Sequence, residues 1–469
     1  MAVIGPGERH LSWMLNRLPL IVALLLTARC ADPSRPTDVA LLPERLDGPM
    51  ALVDVTVIPM TGPSLLARQT VLIESDRIVA VGPTSTTPVP AGFTRLMVAP
   101  GSIVMPGLAD MHTHILDRDE LLLYLANGVT TIRNLHGLGR HLAWRDSLER
   151  NLMVGPRLLS AGPILDGDPP SRSTNIVLRT EAEAAAAVAE QRSLGFDYIK
   201  VYDNLPAALY RAVGRAAASH GLSVIGHLPT PVGLNGLFGD RVQSEVQHLE
   251  EFLPFVADGR DLTLVDSIVR GLQREGIAVV PTVSVYTSAR EQAERLSQLR
   301  ARPEMAYVNP ATAATWGWEP TANSRSGRPG EIERYRRTVG FFEREFLPRL
   351  RAAGVSIVAG TDAPVAMVIP GFAIHDELAS YVAGGLTTLE AVRTATTAAA
   401  AVVPPRYGLT LMGTVSAGAP ADLLVLSASP LENLGNLKHR MGVVARGRWF
   451  SAARLQRSLD SLAAVYRGR

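Results

Sequence analysis

Between residues 107 and 362 the chain alternates between short apolar runs of strand length and longer stretches of helical pattern. GLADMHTHI, VTTIRNL, PRLLSAG, DYIKVY, SVIGHL, SEVQHLE, IAVVPTVSV and VSIVAGTD are the strand candidates. Segments such as DELLLYLANG, EAEAAAAVAEQRSLG, PAALYRAVGRAAASHG, LTLVDSIVRGLQREG and FFEREFLPRLRAAG lie between them, several closing on the glycine that commonly ends a helix. Alternation of this kind restricts the fold to the α/β class, and eight units in about 260 residues match a (β/α)8 TIM barrel in number and length. A doubly wound sheet also alternates, but more often carries a Gly-rich phosphate turn after its first strand, and no such turn is present.

Two further β-like pieces flank this body. ALVDVTVIPMTG and TVLIESDRIVAVG, the latter with SDRI as a tight turn, precede it, and ADLLVLSAS and HRMGVVARGRWF follow it. The expected organisation is a small β-sandwich domain built from both chain ends, residues 51–100 and 411–450, around a barrel over 101–410, with a C-terminal helix over 451–469. At 469 residues the chain exceeds what one core usually supports, which agrees with a large and a small domain.

The N-terminus reads separately. RLPLIVALLLTARC, residues 17–30, is an apolar run behind a positive flank, too short for a spanning helix and of signal-peptide length. Residues 1–31 are read as a signal peptide and 32–50 as a linker. The protein is therefore expected to be exported, periplasmic or extracellular. Cys30, the only cysteine, resembles a lipoprotein acceptor, although Arg29 departs from the usual small residue before it, so membrane contact would come only through an N-terminal lipid anchor. One cysteine permits no internal disulfide. A formal charge of +2 without a basic stripe argues against nucleic acid as a partner. The expected partner is a small-molecule substrate, with homo-oligomerisation left open.

Active-site residues of a TIM barrel lie at the C-terminal ends of its strands. His112 and His114 end the first strand candidate, Lys200 the fourth, His227 the fifth, His248 the sixth and Asp362 the eighth. Two histidines at i and i+2 face the same side of a strand and can present two imidazoles to one ion. Singly, each of these is as readily a hydrogen-bonded core residue or a polar strand end as a ligand. Their placement on one rim carries the reading. His136, His141, His220 and His439 are read as solvent-facing, and His375 is left open between the site and the scaffold. Lys200 is one of only two lysines among 46 basic residues.

PGLADMHTH, IKVY, VIGH, VQHLEE and AGTDAP, in this order, resemble the metal-dependent amidohydrolase superfamily over about residues 51–450, and GTVSAGAPADLLVLSASPLEN is similar to its segment returning to the small domain. VTTIRNLHGLG and GTDAP look closest to the prolidase-like and imidazolonepropionase-like branch. The resemblance implies an enzyme that hydrolyses amide-type C–N bonds through a metal-bridging hydroxide at two divalent ions, most simply zinc. It assigns His112, His114 and Asp362 to one ion and His227 and His248 to the other, with carbamylated Lys200 between them. Burial can give a lysine the neutral amine that attacks carbon dioxide, whereas guanidinium stays protonated. Asp362 would orient the nucleophile and pass its proton to the leaving group.

Substrate class is narrower only by analogy: N-acyl amino acids or dipeptides. VYDNLP stands where the branch's peptidases tend to carry a Ser-Gly-Gly turn after the lysine, which weakens a dipeptide assignment. Tyr202, Asn204, Arg133 with Asn134, and Tyr286 are the expected substrate contacts, Arg133 as a bidentate clamp on a carboxylate or as a structural ion-pair residue. The GPILDGDPPSRSTN stretch and the insertion over about 286–335, with Trp316 and Trp318, are expected to act as lids. The alternatives are a non-catalytic secreted binding protein on the same barrel and a mononuclear hydrolase or deaminase.

Overall fold

The computed structural model describes residues 48–62, 65–257, 261–316 and 329–468. The apolar run at 17–30, Cys30 and Trp318 lie outside them. Among the described residues no helix is long and apolar enough to cross a membrane.

Both chain ends build one eight-stranded sheet. Its strands are β1 (Met50–Val57), β2 (Leu66–Glu74), β3 (Arg77–Pro83), β4 (Thr94–Arg95), β5 (Ile103–Pro106), β15 (Leu423–Leu426), β16 (Arg440–Ala445) and β17 (Arg448–Ser451). They run in the order β17-β16-β15-β5-β1-β2-β3, with β4 on β1. The small domain expected from both chain ends is thus one hydrogen-bonded strand order. Its physical reason is β5, which pairs parallel to β1 on one edge and antiparallel to β15 on the other and so joins the N-terminal strands to the C-terminal ones. Ile103–Pro106, placed in the barrel by sequence, belongs to this sheet. The turn between β2 and β3 falls at Ser75 and Asp76, as SDRI predicts, and Glu74 faces Arg77 across it. Ser451 caps the final helix by accepting from the Arg454 N–H.

The body between the two halves is a run of parallel strands and helices. β6 (Leu108–Thr113), β7 (Val129–Asn134) and β8 (Arg157–Ser160) form one parallel sheet. β9 (Leu165–Asp166), β10 (Ile176–Val177), β11 (Tyr198–Val201), β12 (Ser223–Gly226), β13 (Gln243–Gln247) and β14 (Ala278–Val280) form a second. Single backbone bridges connect the ends: Ala161 with Tyr198, Val279 with Ile357, and Thr113 with Ala363. Between the strands stand α1 (Glu120–Ala126), α2 (Gly139–Glu149), α3 (Glu181–Leu194), α4 (Ala207–Ser219), α5 (Gly233–Asp240) and α6 (Leu262–Glu275). Gly195 and Gly276 end α3 and α6 in the left-handed conformation that the glycines in the sequence foretell. One buried cluster runs from Met105 and Leu424 of the sheet to Ile199, Val246 and Phe346 of the body, so the two share a core.

Two strand expectations are shortened. The seventh stops at Val280, because Pro281 can donate no ladder hydrogen bond and α7 (Val283–Arg300) begins at once. The buried Glu377 carboxylate accepts from the Val283 and Ser284 N–H groups and holds that helix start in place. The expected loop insertion after 286 is accordingly helical where it is described, through α7, α8 (Pro310–Ala314) and α9 (Pro329–Phe341). The eighth expected strand, 355–362, makes only isolated bridges. Asp362 has a positive φ of 61°, outside the extended region that a strand needs. The chain continues through α10 (Leu347–Ala353), α11 (Ala373–Ala383), α12 (Thr388–Thr394) and α13 (Thr397–Ala401), and closes on α14 (Ala452–Arg467).

Candidate metal centre

The site begins with backbone hydrogen bonds between β6 and the segment after Ile357. The His112 carbonyl accepts from the Asp362 N–H at 2.7 Å, and the His114 N–H donates to the Ala363 carbonyl at 2.7 Å. Gly360 permits this approach, since a Cβ there would stand 2.7 Å from the His112 Cβ and 2.8 Å from its nitrogen. One Asp362 carboxylate oxygen consequently lies 3.1 Å from Nε2 of His112 and 3.0 Å from Nε2 of His114.

The remaining expected ligands reach the same centre from β11, β12 and β13. Tyr198 and Lys200 share a face of β11, and Glu245 and Gln247 a face of β13, by the period of a strand. Lys200 is 1 % exposed. His227 follows β12 and donates its N–H to the Val201 carbonyl, while His248 follows β13 and donates to the Val280 carbonyl. The ring centroid of His248 lies 4.5 Å from that of His112 and 4.7 Å from that of His227.

Each of three imidazoles is held through Nδ1. His112 Nδ1 meets the Gln247 Oε1 at 2.9 Å, His248 Nδ1 meets the Thr282 hydroxyl at 2.7 Å, and His227 Nδ1 meets Asp203 at 2.7 Å and Glu251 at 3.1 Å. The Gln247 oxygen and the Asp203 and Glu251 carboxylates, as acceptors, put a proton on Nδ1 of His112 and His227, which is the arrangement of a histidine that binds metal through Nε2, whereas the Thr282 hydroxyl can accept from or donate to His248. His112 Nε2 is fully buried, and with the proton on Nδ1 it has none to give the Asp362 oxygen 3.1 Å away, so two acceptors face each other. An orphaned buried nitrogen beside a carboxylate and other imidazoles is what an ion would satisfy, so the donor set fits a divalent metal. His112, His114 and Asp362 also lie close enough together to serve one ion.

Burial dominates the electrostatics. It pushes the Lys200 amine down to about 7, with Asp362 opposing and Arg172 and Arg133 reinforcing. It lowers His112 to about 3 and His114 to about 4. Burial opposes ionisation of Asp362, yet the neighbouring His112 and His114 hold its carboxyl well below the usual range. At His227 burial also opposes the charge, but Glu251 and Asp203 prevail and raise it to about 9.

The expected substrate contacts divide. Tyr202 stands in the site, its ring centroid 3.9 Å from that of His227. Asn204 lies beside it but acts as a strut, its backbone N–H donating to Asp166 and its side chain to the Pro169 carbonyl. Arg133 does not face a ligand. It is fully buried, its Nε donates to the Met111 carbonyl, and its two terminal nitrogens engage both Glu245 oxygens, so the fork that would clamp a substrate carboxylate is already spent on one inside the scaffold. Asn134 likewise serves the scaffold, binding the Ile115 N–H and Ser160. Tyr286 is the first-turn residue of α7, packed edge-on against Phe342 and Tyr335. Trp316 donates its indole N–H to the Pro364 carbonyl, which ties the insertion to the segment bearing Asp362.

Two histidines read as solvent-facing are not. His141 is buried and bridges Ile115 and Leu138. His136 is half-buried near His114, Lys200 and Arg172, and burial with those charges pushes it down to about 3. His375, left open, sits on α11 against Arg440 and away from the centre. Sequence reasoning assigned no role to Gln247, Thr282, Asp203 or Glu251. All four stood inside quoted runs, Asp203 in VYDNLP, Gln247 and Glu251 in VQHLEE and Thr282 in IAVVPTVSV, but their contacts with the imidazoles are relations between strands that no single run displays.

A model of the amidohydrolase family matches residues 103–449. No curated protein matches the chain in sequence. Among solved structures, a bottromycin amidohydrolase is 23 % identical with a TM-score of 0.75, over 92 % of this chain and 94 % of that one. A putative prolidase from Bifidobacterium longum is 24 % identical with a TM-score of 0.66, over 89 % and 100 %. An Xaa-Pro dipeptidase with bound methionine in its active site is 18 % identical with a TM-score of 0.62, over 86 % and 100 %. At these identities the solved structures bear on the fold.

Proposed function

Because the chain belongs to the amidohydrolase family and is thereby a hydrolase of carbon–nitrogen bonds, we propose that it cleaves the amide bond of small N-acyl amino acids or dipeptide-like molecules at a two-ion centre on a closed (β/α)8 barrel. The observation that carries this reading is the convergence of His112, His114, His227, His248, Lys200 and Asp362, with Nδ1 of His112, His227 and His248 held by the protein.

On this reading His112, His114 and Asp362 hold one ion and His227 and His248 the other, with zinc suited to imidazole and carboxylate donors. Bound ions would polarise the scissile carbonyl and bring water's pKa toward neutrality. Lys200 completes the donor set as a carbamate: its neutral nitrogen lone pair bonds to the carbon of carbon dioxide and a nitrogen proton leaves to solvent. A buried amine lowered to about 7 has the neutral fraction this step needs. Asp362 accepts the proton of the attacking water and returns it to the departing nitrogen, for which a carboxylate ionised in the resting site is the right starting state. Gln247, Thr282, Asp203 and Glu251 orient the imidazoles. The apolar run at 17–30 keeps export part of the reading.

The test is metal content per chain after purification with zinc and bicarbonate, paired with turnover of N-acyl amino acids and dipeptides. Two ions with turnover support the proposal. One ion with turnover replaces it with a mononuclear hydrolase, and no ion with no turnover overturns it.

A further inference from the structure

The loop after β9 carries a cation with no acid to meet. Arg172 is half-buried, and among the described residues its guanidinium makes no hydrogen bond and no ion pair, although Arg179 a few residues on pairs with Asp168. It lies instead over the face of Tyr202, its Cζ 5.2 Å from the ring centroid. The same ring is 3.9 Å from His227, and the Lys200 Nζ lies 5.8 Å from its centroid. Arg172 is therefore within one small molecule's reach of the centre, and its charge depresses the basicity of Lys200, His114 and His136.

The loop that bears it is built rather than loose. Asp166 is fully buried, one of its oxygens accepting from the Gly167 and Asn204 N–H groups and the other from the Ser171 N–H and the Asn175 side chain. The loop and the β11 turn approach so closely at Gly167 that a Cβ would stand 1.9 Å from the Asn204 carbonyl oxygen. Ser171 is thus pinned next to Arg172 in sequence. A cation held on a fixed loop, stacked on a ring of the site and without an ion pair among the described residues, is arranged to receive an anion from the ligand.

We propose that Arg172 is a specificity-determining residue that binds a carboxylate of the substrate, so that the enzyme selects acids over the matching uncharged amides. The inference rests on the hydrolase reading for the bond cleaved, but not for the anion bound. It also places recognition on the loop after β9 rather than on Arg133, which is fully buried and paired with Glu245.

Two readouts separate them. Binding of N-tosyl-L-leucine and N-tosyl-L-leucinamide, whose sulfonamides resist hydrolysis, is measured on the metal-loaded enzyme and on Arg172→Gln and Arg172→Lys, with thermal melts confirming that the variants fold. Wild type should prefer the acid by about 100-fold, Arg172→Gln should bring the two within about threefold, and Arg172→Lys should fall between. Equal affinity for acid and amide in wild type, or an unchanged preference in Arg172→Gln, overturns the proposal. Turnover of N-acetyl-L-leucine by the same preparations tests the hydrolase reading alone: an acid preference without turnover keeps the anion site and removes the substrate class.

Discussion

The Gln247 side-chain oxygen lies 2.9 Å from Nδ1 of His112, across 135 residues of sequence, and both groups are fully buried. This contact puts the His112 proton on Nδ1, the state in which Nε2 could serve a metal. Gln247→Leu should lower metal affinity or turnover by about 10- to 100-fold while the protein stays folded. Chelator competition on the purified variant measures the affinity, and wild-type affinity would remove the orienting role.

Lys200 should tolerate no cationic replacement. Lys200→Ala and Lys200→Arg are both expected to reduce turnover below detection, the second because a guanidinium offers no neutral nitrogen at working pH. Asp362→Ala should do the same. Near-wild-type rates in Lys200→Arg would show that the residue acts only as a charge.

Arg133 and Glu245 should behave as a scaffold pair. Removing one partner leaves an uncompensated buried charge, so Arg133→Met should cost about 3–5 kcal/mol in chemical denaturation, and Arg133→Met with Glu245→Leu should recover most of that loss. If the single variant unfolds like wild type but fails to bind an acid, the assignment reverts to a substrate clamp.

Glu120 makes stability depend on pH. Burial raises its carboxyl from 4.5 to about 8, against the hydrogen bond that it accepts from the Leu116 N–H. The folded state therefore keeps a proton that the unfolded chain releases, and the stability tied to it, present below about pH 4.5, is lost as pH rises through 8. Glu120→Gln keeps the acceptor and removes the titration. Denaturation midpoints should nearly coincide for the two proteins at pH 4 and diverge by pH 9, with the variant the more stable. Parallel profiles would contradict the shift.

Loaded with metal, the protein should melt higher than after chelation, because an ion that binds only the folded centre stabilises it by mass action. Differential scanning with zinc added in excess checks this, and a melting temperature indifferent to metal would count against His112 as a ligand.

Much of the candidate centre was legible in the sequence because its residues are chemically unusual where they stand: His112 and His114 two apart at a strand end, Lys200 as one of two lysines among 46 basic residues, and Asp362 after an apolar run. The alternation of strand and helix located them at or just after the ends of successive strands. What failed was local inference about residues with two plausible uses. Arg133 reads the same as a clamp or an ion pair until Glu245 is seen across the interior. The seventh strand is apolar well beyond Val280, yet Pro281 and the Glu377 carboxylate begin a helix there. The boundary of the sheet domain was misplaced for a similar reason, since β5 was counted with the body until its partners were known.

The amino-acid sequence by itself determined the class of fold, the residue types of the centre and their order along the chain, because periodicity and side-chain chemistry are properties of short segments. Tertiary structure decided which groups stand at each Nδ1 and which arginine is paired within the scaffold. Those are relations between groups far apart in the chain, and in a buried site a donor's availability depends on whether another residue has already reached it.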